Sequence, residues 1–248
     1  MHDLYIIFKD QSNDKTKLKP YLDLLSESEV SYYPIYLEGG LDIDAYYYAA
    51  VNIEKGYLLF LNTSSVILGT DWLRKYRAAF DTNNVGMVSA TASNQSYYSS
   101  VFQNNTWQWE SQKGFIFNFR KYKLLIKALC YWRFLFKPFP NPHLRTNAFM
   151  INSEVFLSIH HKLMKSKLQA YQFESGRKSI SKILLKKGFT LFVLDKDGRA
   201  YDLPNWKNSS TFWINNQENL LVSDNQTRLY KEADPETRKS ITKLAWGV

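Results

Sequence analysis

Apolar residues fall along this chain in short runs, separated by polar segments and, in places, spaced as on one face of a helix. Residues 4–8 (LYIIF), 31–37 (SYYPIYL), 57–61 (YLLFL), 85–89 (VGMVS), 146–152 (TNAFMIN) and 189–194 (FTLFVL) predict strands, being short and rich in β-branched and aromatic side chains. Pro34 marks the second as an edge or a bulge. Helices are predicted over 16–27, over 42–54 with Asp42 as N-cap, and over 71–80 and 153–165. Two more are predicted: a basic helix over 177–187 ended by Gly188, and 235–246, with Asp234 as cap and Pro235 in first position. Residues 91–112 and 195–228 are polar and turn-rich; within the latter, Asp224, Asn225, Gln226, Thr227 and Arg228 are expected to form a turn. Strand and helix alternate over the first 90 residues. That pattern predicts βαβ units: an α/β fold with a mostly parallel central sheet flanked by helices. Ligands on such sheets bind beyond the carboxyl ends of the strands, where Asn62-Thr63-Ser64-Ser65 follows the third run.

Composition narrows the reading. A length of 248 residues, 45% of them hydrophobic, suits one large domain with a full core. The net charge of +9 favours anionic ligands, whether diphosphates, anionic lipid or nucleic acid. Cys130 is the sole cysteine, which excludes an internal disulfide and a multi-cysteine zinc site and fits a reducing compartment. No apolar stretch reaches about 18 residues, so a soluble or peripheral protein is expected, in the cytoplasm or at the inner face of a membrane. The chain contains no GxGxxG after its first strand, no GxxxxGK[ST], no HExxH and no GxSxG.

The segment EKGYLLFLNTSSVILGTDWLRKYRAAFDTNNVGMVSATAS resembles the centre of the GT-A glycosyltransferases, above all the family-2-like group, through residues 57–72 and 85–93. HLRTNAFMINSEVFLSI (143–159) resembles that family's acceptor-side strand and helix. FESGRKSISKILLKKGFTLFVL (173–194) resembles its block in which an acidic residue precedes a helix. The likeness spans about residues 3–200. It implies one GT-A-like domain, with a nucleotide-sugar-binding half over about 1–95 and an acceptor half over about 96–200. Residues 201–248 resemble the closing segments of capsule and O-antigen transferases and would form a C-terminal extension packed on the same domain. The implied activity moves a hexose or deoxyhexose from a nucleotide sugar to a saccharide or polyprenyl-linked saccharide during surface-polysaccharide assembly.

One departure matters. Where the family carries Asp-x-Asp to hold a divalent cation against the donor diphosphate, this chain has Asn62, Thr63 and Ser64, so no obligatory metal is expected. Lysine and arginine side chains would stabilise the leaving group instead. Some rhamnosyltransferase-like members also carry Asn here.

The resemblance makes Glu174 the catalytic base, taking the acceptor hydroxyl's proton. The residues alone read equally as an acid interacting with a helix dipole. Lys9 and Asp10 would meet the nucleotide base and ribose, Asp42 and Asp44 line the donor pocket, and Asn62, Thr63 and Ser64 border it. Arg145 and Arg177 would grip phosphate, while His143 and Asn147 bind the acceptor. From Ser111 to Ser153 there is no Asp or Glu, against eight Lys or Arg. Wound as a helix, residues 120–137 place Arg120, Lys123, Lys127 and Lys137 opposite Leu124, Leu125, Ala128, Leu129, Trp132, Leu135 and Phe136. That face suits a membrane surface, or equally the domain's own core. Two other readings stay open: a non-catalytic nucleotide-sugar or carbohydrate-binding module with a degenerate fold, and a basic nucleic-acid-binding protein, for which no recognised motif is present.

Overall fold

The computed structural model describes residues 3–10, 33–53, 55–100, 126, 130–159 and 163–248. The predicted helix 16–27, the later part of the predicted loop 91–112, and Arg120, Lys123, Leu124, Leu125, Lys127, Ala128 and Leu129 of the basic stretch lie outside the described residues.

In chain order the elements are β1 (Tyr5–Asp10), β2 (Tyr33–Glu38), α1 (Asp42–Asn52), β3 (Tyr57–Leu61), β4 (Val66–Ile67), α2 (Trp72–Ala78), β5 (Val85–Ser89) and β6 (Ala92–Ser93). Then come β7 (His143–Leu144), β8 (Ala148–Asn152), α3 (Ser153–Leu157), α4 (Lys167–Ser175), α5 (Ile180–Lys186), β9 (Thr190–Leu194) and β10 (Ala200–Tyr201). Two 3-10 turns, Leu203–Ser209 and Asn215–Gln217, precede β11 (Val222–Ser223), α6 (Asn225–Glu232) and α7 (Pro235–Trp246).

The fold is mixed α/β, with a five-stranded central sheet in the order β10-β9-β5-β8-β3 flanked by helices. β3, β5 and β9 point one way, but β8 runs antiparallel between β3 and β5, and β10 runs antiparallel to β9. The expectation of a mostly parallel sheet is therefore corrected: only β5 and β9 are parallel neighbours in it. β1 and β2 do pair in parallel, as a separate two-stranded sheet. An apolar run does not encode strand direction. β8 follows a chain that returns to the carboxyl edge of β3 and β5, so it re-enters the sheet from that side.

Alternation along each strand divides the core between the two faces of the sheet. Phe60, Met87, Phe149, Ile151, Leu191 and Val193 pack on one face. Val85, Val88, Ala148, Met150 and Leu194 pack on the other, joined by Leu59 and Leu61. This explains why YLLFL is apolar throughout although β3 is an edge strand. Val85 and Met87 would share a face in a regular strand; a register shift between them sends them to opposite faces. There Gly86 passes so near Phe189 that an added Cβ would lie 2.6 Å from that residue's Cβ.

Residues after 200 complete the first face. Trp206, Phe212, Trp213, Tyr230 and Trp246 are buried in the same cluster as the sheet residues. The Trp246 indole N–H donates to the Phe212 carbonyl at 2.6 Å. α7 begins as expected, Asp234 accepting the Thr237 N–H at 2.9 Å with Pro235 in the first turn.

Several helices depart from the predicted ones. The cap of α1 is Leu41, whose N–H donates to the Asp44 carboxylate at 2.7 Å; Asp42 is the first helical residue. The helix predicted over 153–165 stops at Leu157, and 163–165 are not helical. The basic helix starts only at Ile180, because α4 runs to Ser175 and Gly176 separates the two. A Cβ on Gly176 would lie 2.4 Å from the Gln172 carbonyl oxygen, so the glycine permits this close exit. Gly188 ends α5 in the left-handed conformation, φ +85°, as expected. The expected turn at 224–228 is the start of α6, with Asp224 as its cap. Among the described residues, no helix is long and apolar enough to cross a membrane.

Candidate functional site

The register places the carboxyl ends of β3, β5 and β9 beside the amino end of β8: Leu61 and Ser89 face Ala148 and Phe149, and Ser89 faces Val193. His143, Arg145, Thr146 and Asn147, just before β8, therefore gather on the edge where the parallel-running strands deliver their carboxyl ends. A cavity of about 270 Å³ opens there. His143, Arg145 and Glu174 line it, with aromatic walls from Tyr97, Tyr171, Phe212 and Trp213. Gln95 and Gln226 add amides.

Glu174 reaches the cavity from the last turn of α4, not from the front of the basic helix as expected. A helix C-terminus is an unfavourable place for negative charge. Thr146 compensates: its N–H and its hydroxyl both donate to Glu174 Oε2, at 2.7 and 2.6 Å. Both bonds fall on one oxygen, which fixes the carboxylate; Oε1 has no donor among the described residues. Tyr171 stands three residues earlier on the same helix, so ring and carboxylate share a face. Its ring stacks on Tyr97 at 5.5 Å.

His143 is buried, and its Nδ1 lies 2.8 Å from the Asn141 carbonyl. A carbonyl can only accept, so Nδ1 carries the proton and a neutral ring has its lone pair on Nε2. Burial pulls the imidazole below its ordinary value of 6.5; the Glu174 charge opposes this in part, while Lys182 and Arg145 add to it.

Arg145 is paired. Its Nη2 lies 2.7 Å from Asp224 Oδ2, with side-chain exposures of only 12% and 1%. The guanidinium sits 4.3 Å from the centre of the Phe212 ring. Burial pushes the Asp224 carboxyl up, but Arg145 and the Thr227 hydrogen bonds outweigh it and hold it below the ordinary range.

Phe212 and Trp213 arrive on an unusual loop. Ser210, Trp213, Asn215, Asn216 and Gln217 all have φ between +46° and +55°. Each such non-glycine residue costs of order 1 kcal/mol, so the surroundings must over-determine the conformation. They do: the Gln217 side chain accepts the Trp213 N–H at 3.2 Å and donates to the Thr227 carbonyl at 2.9 Å, and the Trp213 indole donates to the Gln226 carbonyl at 3.0 Å.

The other expected site residues distribute unevenly. Asn62 closes its own turn, accepting the Ser64 N–H and the Ser65 hydroxyl at 3.0 and 2.9 Å. Arg228 tethers that turn through the Ser64 carbonyl at 3.0 Å, while Thr63 stands exposed. Asn147 is buried beside it and accepts from the Thr91 hydroxyl, and its Nδ2 has no partner among the described residues. Asp44 is buried, caps α1 and accepts the Met164 N–H at 3.0 Å; it borders a second, wider hollow of about 630 Å³ beside Gly39, Gly40 and Tyr47. Asp42 is exposed in the first turn of α1. Arg177 lies outside the cavity lining, its Nε donating to the Arg133 carbonyl at 2.9 Å. Lys9 and Asp10 end β1, and their side chains are outside the described residues. Thr146, Asp224 and the four aromatic walls were not singled out from sequence as site residues. Only the Tyr171–Glu174 spacing carried a local signal; the rest meet through long-range packing.

Among the described residues no group of three or more His, Cys, Asp or Glu could hold a metal ion. Comparison with known protein families, characterised proteins and solved structures finds no significant match.

Proposed function

We propose that the chain is a GT-A-like glycosyltransferase that moves a sugar from a nucleotide donor to a saccharide or polyprenyl-linked saccharide acceptor in surface-polysaccharide assembly. The observation that carries this reading is Glu174: a carboxylate held on one oxygen by Thr146, its other oxygen without a donor among the described residues, in an aromatic-walled cavity at the carboxyl edge of the sheet. The aromatic rings offer flat apolar faces to the C–H side of a sugar, and the amides of Gln95 and Gln226 offer partners to its hydroxyls. In the step proposed, an acceptor hydroxyl gives its proton to Glu174 as its oxygen forms the new bond to the anomeric carbon. The anomeric carbon–phosphate oxygen bond breaks, and the nucleotide leaves with the electron pair. Arg145, although paired with Asp224, lines the same cavity as a donor toward developing negative charge.

One observation favours the second reading, a binding module without catalysis. The arginine in the cavity is already neutralised by Asp224, and the 62–65 turn is uncharged. One experiment separates the two. Nucleotide sugars are screened by thermal shift, since a ligand that binds only the folded state raises Tm, and those that bind are assayed for release of the nucleotide. Binding with turnover supports the transferase; binding with no release over days, with or without saccharide acceptors, supports the module; no shift with any donor refutes the transferase and the nucleotide-sugar module, and no shift with saccharides alone refutes the carbohydrate-binding module.

A further inference from the structure

Away from the cavity, a short helical stretch, 130–135, divides its aromatic residues between two environments. Trp132 and Phe136 turn inward onto Tyr97, at 4.9 and 5.2 Å, and Phe136 is fully buried. Tyr131 and Phe134 turn outward. Phe134, at 77%, is the most exposed large apolar residue among those described, and Ile126 nearby in sequence is 44% exposed. Aromatic side chains left in water forgo the stabilisation that burial of their apolar area would give.

Cations lie around them, Arg133 5.9 Å from the centre of the Tyr98 ring. Arg133 and Lys137 are exposed on the same segment. Arg177 is fastened to it, its N–H donating to the Leu135 carbonyl at 2.9 Å and its Nε to that of Arg133. Lys182 sits half-buried behind, bonded to the Asn141 side chain and to the Ser175 and Gly176 carbonyls. None of these four cations has a carboxylate partner among the described residues. Burial, then the charges of Lys137 and Arg177, pull the Lys182 ammonium down to about 8. Cations are thus crowded together beside outward aromatic rings, with no carboxylate among the described residues paired to them, which matches a surface that is anionic outside and apolar beneath.

We propose that this ridge is an interfacial anchor for an anionic lipid bilayer, with Phe134 and Tyr131 entering the headgroup region and Arg133, Lys137 and Arg177 meeting lipid phosphates. The arrangement suits lipid better than a free phosphate, because the rings point outward beside the cations rather than walling a pocket. It suits lipid better than single-stranded nucleic acid, because Ile126 offers no π face on which a base could stack. Trp132, the apolar anchor suggested by sequence, belongs to the core side. The proposal is independent of the chemistry assigned to the cavity.

The test is co-sedimentation with vesicles of phosphatidylcholine, with and without phosphatidylglycerol, across a salt series. Wild-type protein should bind only the anionic vesicles and lose affinity steeply as salt rises. Lys137→Glu with Arg177→Glu should weaken binding by roughly 30-fold or more, from about 1 kcal/mol per cation lost. Phe134→Ser with Tyr131→Ser should weaken it by about tenfold at unchanged charge. The salt series needs no variant, so it decides even where a substitution impairs folding. The proposal is overturned by failure of wild-type protein to bind anionic vesicles at low salt, or by undiminished binding in the Phe134/Tyr131 variant. Displacement by inorganic phosphate well beyond that by chloride at equal ionic strength, or tighter binding to single-stranded RNA than to vesicles, overturns it as well.

Discussion

Substituting Asp224 by Ala removes two things at once. It leaves the Arg145 guanidinium, whose side chain is 12% exposed, without its ion-pair partner, beside Thr91 Oγ1 at 3.5 Å and the Phe212 face. Breaking one side of a buried pair costs about 3–5 kcal/mol, because the surviving charge stays desolvated. It also removes the acceptor of the Thr227 N–H at 2.8 Å, the cap of α6, which contributes about 1 kcal/mol. The two losses share an atom group and will not add fully, so we expect a total near 4 kcal/mol, or a Tm lower by about 8–16 °C at this chain length. Asp224→Asn keeps the capping oxygen and loses only the charge, so it should recover the capping fraction. Arg145→Met in the Asp224→Asn background should restore most of the remainder, since the buried charge is then gone. The assay is urea unfolding followed by tryptophan fluorescence, with m-values compared across the set. A loss below about 1 kcal/mol in Asp224→Ala, or additive losses in the Arg145/Asp224 double variant, would show that the pair is not the buried, mutually dependent unit inferred above.

Three further outcomes follow from the cavity. Glu174→Gln retains an oxygen for Thr146 and removes the basicity, so donor affinity should stay within a few-fold while turnover falls by about 10²–10⁴-fold; unchanged turnover eliminates Glu174 as base. Turnover should survive excess EDTA, because Asn62 spends its oxygen on Ser64 and Ser65; complete loss with rescue by manganese sinks that expectation. Acid should destabilise the fold through His143: its folded pKa lies below 6.5, so the unfolded chain binds the extra proton first, and stability falls as pH drops below about 6.5, by at most about 1.4 kcal/mol per pH unit. His143→Asn should flatten that slope between pH 7 and 5, with the Asp224 contribution lost only below about 3.8, where the unfolded carboxyl protonates. An unaltered slope refutes the assignment to His143.

Much of the local structure was legible in the sequence. The apolar runs at 57–61, 85–89 and 189–194 marked β3, β5 and β9, because a strand buried on both faces needs apolar residues at successive positions. Asp234 with Pro235 opened α7 and Gly188 closed α5, because caps act within one turn of chain. Glu174 was singled out, although its helix was misplaced: the break at Gly176 depends on how close the backbone passes to Gln172.

Strand direction was not legible. The period of two is the same for either orientation, so only the packed sheet decided that β8 enters antiparallel between β3 and β5. The cavity walls were not legible either. Phe212 and Trp213 lie in a segment that reads as polar turns, and they reach Glu174 through a left-handed loop held by Gln217 and Thr227. Asp224 reads as a turn residue until Arg145, 79 positions away, is folded against it at 2.7 Å. Local patterns are set by neighbours a few residues apart and can be read in order along the chain. A site assembled from β7, α4 and the 210–217 loop exists only once long-range packing has brought those segments together.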